Sequence, residues 1–174
     1  MLKGEIDVEL RPFNDSDFDV IKDWITDPRE HAMWCANIIQ YPIDKENFYY
    51  VMSDIADRCG DSPYVVTLPD GSLAGFFCYS VNKETNEGML KFVIIDPELR
   101  GKGYGKEMLK IALEYAFYET NAAAVQLNVF SQNIGAVKCY KSIGFVERKT
   151  DYSAFGYKDE LWDRCNMVIK TEVK

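Results

Sequence analysis

The chain has 174 residues, 47% hydrophobic and 14% aromatic, which excludes a disordered protein and suits one domain, residues 1–174, with a sizeable core. Its 28 acidic against 20 basic residues leave a net charge of −8, the wrong sign for a general nucleic-acid binder. An acidic surface serves solubility first, and it also suits cationic substrates such as amines or polyamines.

No apolar run approaches the roughly 20 residues of a membrane span, and Met1-Leu2-Lys3-Gly4-Glu5 carries no apolar signal region. Five cysteines are scattered and never in Cys-x-x-Cys spacing. They read as reduced thiols of a cytoplasmic protein. One histidine in the whole chain argues against a zinc site, so no metal is expected.

In chain order, Ile6 to Arg11 alternates apolar and charged residues, the pattern of a half-exposed first strand. Asp15 or Ser16 is expected to cap a helix carrying Phe18, Ile21, Trp24 and Ile25, and Asp27-Pro28 to stop it. His31 to Pro42 has large apolar groups without clear period. It reads as a loop or short helix that either lines a pocket, with Trp34 and Tyr41 as candidate substrate contacts, or plugs the end of the core. His31, beside Glu30, reads as a surface residue in preference to a catalytic base. Asp44 is placed to cap a helix to Cys59 with Phe48, Val51, Met52 and Ile55 on one face. Tyr64 to Leu68, Leu73 to Val81, and a strand that stops at Asp96-Pro97 follow as an antiparallel meander, with tight turns at Pro69-Asp70-Gly71 and Asn82 to Asn86.

The third of these strands leads into Arg100-Gly101-Lys102-Gly103-Tyr104-Gly105-Lys106 and then a long amphipathic helix to about Glu119, with Tyr104, Met108, Ile111, Ala112 and Tyr115 as its buried stripe. Three glycines let backbone N–H groups approach a ligand, and the helix N-terminus behind them favours a phosphate or diphosphate. The dinucleotide fingerprint fails because Lys106 stands where its third glycine belongs. A P-loop fails because Glu107 follows Gly105-Lys106. A strand from Ala123 to Phe130 comes next, so strand, helix, strand predicts a right-handed crossover and a parallel pair. A short helix from Asn133 to Ser142, capped by Gly144, and strands from Phe145 to Lys149 and Leu161 to Ile169 complete the chain. The segment from Phe155 to Trp162 is rich in aromatic groups and reads as a subunit contact, hence a homodimer, or as a pocket wall.

Arg100-x-x-Gly-x-Gly and Asn133-x-x-Ala136-x-x-x-Tyr140-x-x-x-Gly144-Phe145 lie one helix and one strand apart. Together they resemble the signatures of the GCN5-related N-acetyltransferases (GNAT). The N-terminal half resembles the family in strand and helix order. Leu10-Arg11-Pro12, Trp24, Trp34 and Tyr41-Pro42 are faintly like the branch acetylating ribosomal-protein N-termini and small amines. The resemblance implies an α/β fold with a mixed, mostly antiparallel sheet of six or seven strands, helices on both faces, and central strands that splay to admit acetyl-CoA. It implies a diphosphate seat on the backbone of Gly101, Gly103 and Gly105, with Arg100, Lys102, Tyr104 and Lys106 around it. It implies pantetheine pairing along Val93, Ile94 and Ile95, and Asn133 beside it. The reaction implied is direct attack by a primary amine, small molecule or protein α-amine.

Asn133 and Tyr140 are seven apart, two helical turns, so both side chains point the same way. A neutral phenol at Tyr140 suits an acid that protonates the departing thiolate. Some relatives place a glutamate base on the strand five residues ahead of the asparagine; here that position is Asn128, which cannot serve. Glu87, at the head of the central strand, is the alternative base acting through water, or else a solvated turn carboxylate. Two rival readings remain beside the enzyme: a non-catalytic acyl-CoA-binding sensor on the same scaffold, and a nucleotide-dependent enzyme using the glycine turn.

Overall fold

A computed structural model describes residues 4–172; the signal-region reading of Met1 to Lys3 lies outside them. Seven strands form one sheet in the order β1-β2-β3-β4-β5-β7-β6. β1 (Glu9–Pro12), β2 (Ser62–Thr67), β3 (Leu73–Asn82) and β4 (Glu87–Ile95) are antiparallel neighbours. β5 (Ala124–Phe130) runs parallel to β4, joined by the crossover helix. β7 (Glu160–Lys170) and β6 (Val146–Tyr157) complete the sheet antiparallel. This is the mixed, mostly antiparallel seven-stranded α/β architecture expected from the motifs.

Helices cover both faces. On one, α4 (Tyr104–Glu114) supplies Met108, Leu109, Ala112 and Leu113 and α5 (Ile134–Ile143) supplies Tyr140 to a core with Leu90, Val125, Leu127 and Phe77. On the other, α3 (Lys45–Cys59) buries Phe48, Val51, Met52 and Ile55 against Val65, Phe76 and Phe92. The one-turn α1 (Phe18–Ile21) and the α2 helix (Pro28–Cys35) join that core through Phe18, Ile21 and Cys35. A smaller cluster of Ala32, Phe130 and Trp162, with Phe155 and Tyr157 against it, ties α2 to the β6–β7 hairpin. Among the described residues no helix is long and apolar enough to cross a membrane.

Several local expectations are corrected. The first strand begins at Glu9, not Ile6, because β2 ends opposite Glu9 at Thr67 and leaves Ile6 and Val8 no strand to pair with. Asn14, not Asp15 or Ser16, caps the next turn. Its side chain accepts from Ser16 N, and Asp17 closes the capping box. Trp24 and Ile25 are buried beyond the end of that helix. Asp27-Pro28 starts a helix and does not stop one. The Asp27 carboxylate accepts from Glu30 N at 2.9 Å, and Pro28 occupies the first turn, where its missing N–H costs nothing. The crossover helix turns π-helical from Tyr115 to Glu119, and its buried stripe is Met108, Leu109, Ala112, Leu113 and Ala116; Tyr104, Ile111 and Tyr115 are only half-buried. β6 is far longer than Phe145 to Lys149 suggested, because most of its side chains are solvent-facing and carry little apolar pattern.

Candidate active site

The site begins with a failure of pairing. β4 and β5 share a ladder only from Glu87 to Leu90 and Ala124 to Leu127. Beyond it Phe92 adopts φ 53°, and the register of β4 against β3 shifts between Phe76 and Cys78. This bulge turns β4 away from β5. The β5-facing backbone groups of Val93 to Ile95 therefore have no partner strand, and a cleft of about 830 Å³ opens beside them. An edge of unpaired peptide groups is a template for an amide-bearing chain.

The glycine turn forms one end of this cleft. A short 3₁₀ turn, Pro97–Leu99, is capped by Asp96. Gly101 and Gly103 then take φ 73° and 95°, conformations that side chains disfavour. Gly103 is the N-cap of α4 and brings no side-chain cap, so the first-turn N–H groups are left for a ligand. Gly101, Gly103, Gly105, Arg100 and Lys106 all line the cleft. A Cβ at Gly105 would sit 3.6 Å from the Cys139 sulfur of α5, so the two helices close around the turn.

α5 supplies the facing wall. Asn133 caps it, its Oδ1 accepting from Ala136 N at 3.4 Å, which leaves the amide N–H₂ free to face the cleft. Tyr140 lies buried two turns on, its ring 5.8 Å from Phe145 and part of the cleft lining. Burial pushes its phenol well above the ordinary tyrosine value, so it is protonated throughout the neutral range.

The other wall is α2, with Asp27, Arg29, Glu30, Met33 and Trp34. Trp34 stands edge-on to Phe92 at 5.9 Å and to His31 at 6.0 Å. Glu30 reaches across to pair with Arg100. Arg29 points the other way, making a two-pronged pair with Glu160 at 2.9 and 3.1 Å and lying over the Trp162 ring.

Thus Trp34, Val93 to Ile95, Arg100, Gly101, Gly103, Gly105, Lys106, Asn133 and Tyr140 converge on one space. Lys102 and Tyr104 are not on its wall. Tyr41 lies outside it as well: its hydroxyl donates to Thr26 O at 2.7 Å, and its ring borders a separate shallow hollow beside Tyr157. Glu87 is not on the cleft wall either. It sits at the zipped end of the β4–β5 pair, six residues or about 20 Å of strand from Val93. There it accepts from Arg148 at 2.8 Å and Gln126 at 3.0 Å, a structural role. Asn128 accepts from Asn166 Nδ2 at 3.0 Å. His31 is not on the surface but fully buried, 3.5 Å from the Cys35 sulfur and 3.3 Å from Asn37 Oδ1. The aromatic groups from Phe155 to Trp162 stack on one another, with rings 5.1 to 5.4 Å apart. Sequence reasoning missed the α2 charges Asp27, Arg29 and Glu30; the Asp-Pro pair, read as a helix start, was the signal for them.

A family model for the acetyltransferase (GNAT) family matches residues 29–145. The chain belongs to that family. It is an N-acetyltransferase with acetyl-CoA as co-substrate. Among its relatives, the spermine/spermidine N(1)-acetyltransferase of Bacillus subtilis is 27% identical over 127 residues, covering 70% of this chain and 84% of that one. The mycothiol acetyltransferase of Streptomyces griseus is 28% identical over 129 residues, 71% of this chain and 42% of the relative. Among solved structures, spermidine N-acetyltransferase from Vibrio cholerae, in complex with CoA and spermine, superposes with a TM-score of 0.78 at 22% identity, covering 94% and 95% of the two chains. That likeness extends to the N-terminal half, where the sequence motifs are silent.

Proposed function

We propose that this N-acetyltransferase acts on a primary amine of an aliphatic polyamine. The residues 1–174 act as one catalytic domain. The cofactor's diphosphate rests on the N–H groups of the glycine turn, from Gly101 to Lys106. Its pantetheine arm pairs with the free edge of Val93 to Ile95, and the Asn133 amide donates to it. The N–H of Val93 or Ile94 stabilises the oxyanion as the amine attacks the thioester carbon. The C–S bond breaks, Tyr140 passes its proton to the leaving thiolate, and the proton that the nitrogen sheds as the amide forms restores the phenol by way of solvent. The alkylammonium must first lose a proton. The reacting species is the neutral fraction of the amine that exchange with solvent maintains.

The observation that carries this reading is the loss of β4–β5 pairing after Leu90, directly opposite Tyr140's helix and directly upstream of an uncapped glycine turn. The polyamine choice is supported by the relative in Bacillus subtilis, by the net charge of −8, and by Asp27 and Glu30 on the α2 wall of the cleft. No observation favours a non-catalytic sensor. The test is thiol release from acetyl-CoA against an amine panel. Turnover with spermidine or spermine above that with an aminoglycoside or a peptide α-amine is expected; no turnover with either polyamine overturns the choice. If a homodimer forms, the exposed Tyr152 and Leu161 of the β6–β7 edge are where it would pair, and sedimentation reads its mass.

A further inference from the structure

The two walls of the cleft are joined across its mouth by one ion pair, Glu30 on α2 to Arg100 at the head of the glycine turn. Among the described residues no other ion pair links α2 to that turn. The neighbouring charge, Arg29, is held by Glu160 and lies over the Trp162 ring. So α2 is fixed to the hairpin by one residue and held to the cofactor end by the next. The second link is the weaker one by its geometry: it is a single contact, without the second prong and the stacked ring that hold Arg29. Both of its side chains are about two-fifths exposed, and an exposed pair is easily displaced.

We propose that Glu30 is a competitive latch on the cofactor site: it occupies the Arg100 guanidinium in the empty enzyme, and the diphosphate takes that guanidinium when the cofactor binds. This rests on the reading that the diphosphate seats on the Arg100–Lys106 turn. A diphosphate offers more charge and a two-pronged geometry that a single exposed carboxylate does not match, so the exchange runs toward the ligand. Opening the latch frees the α2 wall from the turn at the moment the cofactor is in place. It also leaves the Glu30 carboxylate on the α2 wall without a cation, ready to pair with a charged amine. Cofactor and amine would then be coupled through one exchange of partners.

Calorimetric titration of CoA into the intact enzyme at low salt tests this with three variants. Glu30→Gln removes the competitor and keeps the shape, so CoA should bind about two- to fivefold tighter. The gain should fade as salt is raised. Arg100→Gln should weaken CoA binding, and adding Glu30→Gln to it should then bring no gain, because the carboxylate has nothing left to withhold. If Glu30→Gln leaves CoA affinity unchanged or weakens it, the latch is wrong. If it tightens binding equally in the Arg100→Gln background, Glu30 acts as a general negative charge, and the latch is wrong too. Gly101→Val, which puts a branched side chain on a backbone at φ 73°, tests the seat separately: undiminished CoA binding there would overturn the underlying reading and the latch with it.

Discussion

Leu90 and Phe92 stand two residues apart on β4, yet they bury in opposite cores: Leu90 with α4 and α5, Phe92 with α3. In a regular strand residues two apart share a face. The left-handed conformation of Phe92 inserts the extra half-turn that separates them. The same step ends the β4–β5 ladder, so the cleft is a consequence of one residue's backbone, held by the packing of its own ring against Trp34 and the α3 side of the sheet.

That arrangement predicts an inverted order of substitutions at Phe92. Phe92→Ala removes a buried ring and should cost about 3–5 kcal/mol of stability. Alanine keeps the cost of the left-handed backbone, and glycine does not. Phe92→Gly should therefore be the more stable of the two by about 1 kcal/mol, although glycine ordinarily weakens a strand. Urea unfolding of both variants measures the difference. If the alanine variant is the more stable, the bulge is not the strained point.

Tyr140→Phe keeps the ring beside Phe145 and deletes only the hydroxyl. Turnover should fall by about 10²-fold or more while CoA affinity stays unchanged, since the phenol acts on the departing sulfur and not on the resting cofactor. Because burial holds the phenol above its ordinary value, the wild-type activity should show no loss assignable to this group below about pH 10. The stability sign is fixed by the same shift. The unfolded chain releases this proton near pH 10 and the folded chain does not, so the contribution is intact below that pH and is lost above it. A Tyr140→Phe protein with unaltered kcat would remove the acid from the mechanism.

Glu87→Gln should leave turnover within about threefold of wild type, because the carboxylate lies at the zipped end of the strand and pairs with Arg148. A loss of turnover comparable with that of Tyr140→Phe, at unchanged stability, would bring Glu87 back as a base.

The C-terminal half of the site was legible because local chemistry dictates it. Glycines at Gly101 and Gly103 announce positive φ, and Asn133 and Tyr140 share a helix face by spacing alone. The β4 splay was expected from the family resemblance, but its cause was hidden, since nothing in Lys91-Phe92-Val93 marks a bulge that tertiary packing imposes. The α2 wall was hidden for another reason. Arg29 and Glu30 find partners 131 and 70 residues away and Trp34 packs on Phe92 of a distant strand, and such pairings leave no local pattern. His31 was misjudged because a polar residue reads as exposed unless its partners are known, and Cys35, Asn37, Trp34 and Tyr41 supply them in three dimensions.

That buried histidine predicts an acid-sensitive fold. Burial lowers the pKa of His31, and the hydrogen bond from its ring to Asn37 only partly offsets this. The unfolded chain binds a proton near pH 6.5 and the folded chain resists it. The stabilising contribution is therefore complete above pH 6.5 and declines as pH falls toward the depressed folded value. Wild-type stability should drop between pH 6.5 and 5 by up to about 1 kcal/mol per pH unit. His31→Gln keeps a polar group beside Asn37 and cannot titrate, so its stability curve should be flatter across that window. Asp17 gives an internal comparison. Burial pushes its carboxyl up, but Arg11 at 2.8 Å and the Asn14 N–H outweigh this and hold it below the ordinary value, so its contribution is lost only at lower pH. Urea midpoints measured from pH 8 to 4 for both proteins resolve the two windows, and identical slopes between pH 6.5 and 5 would show that His31 does not carry the acid sensitivity.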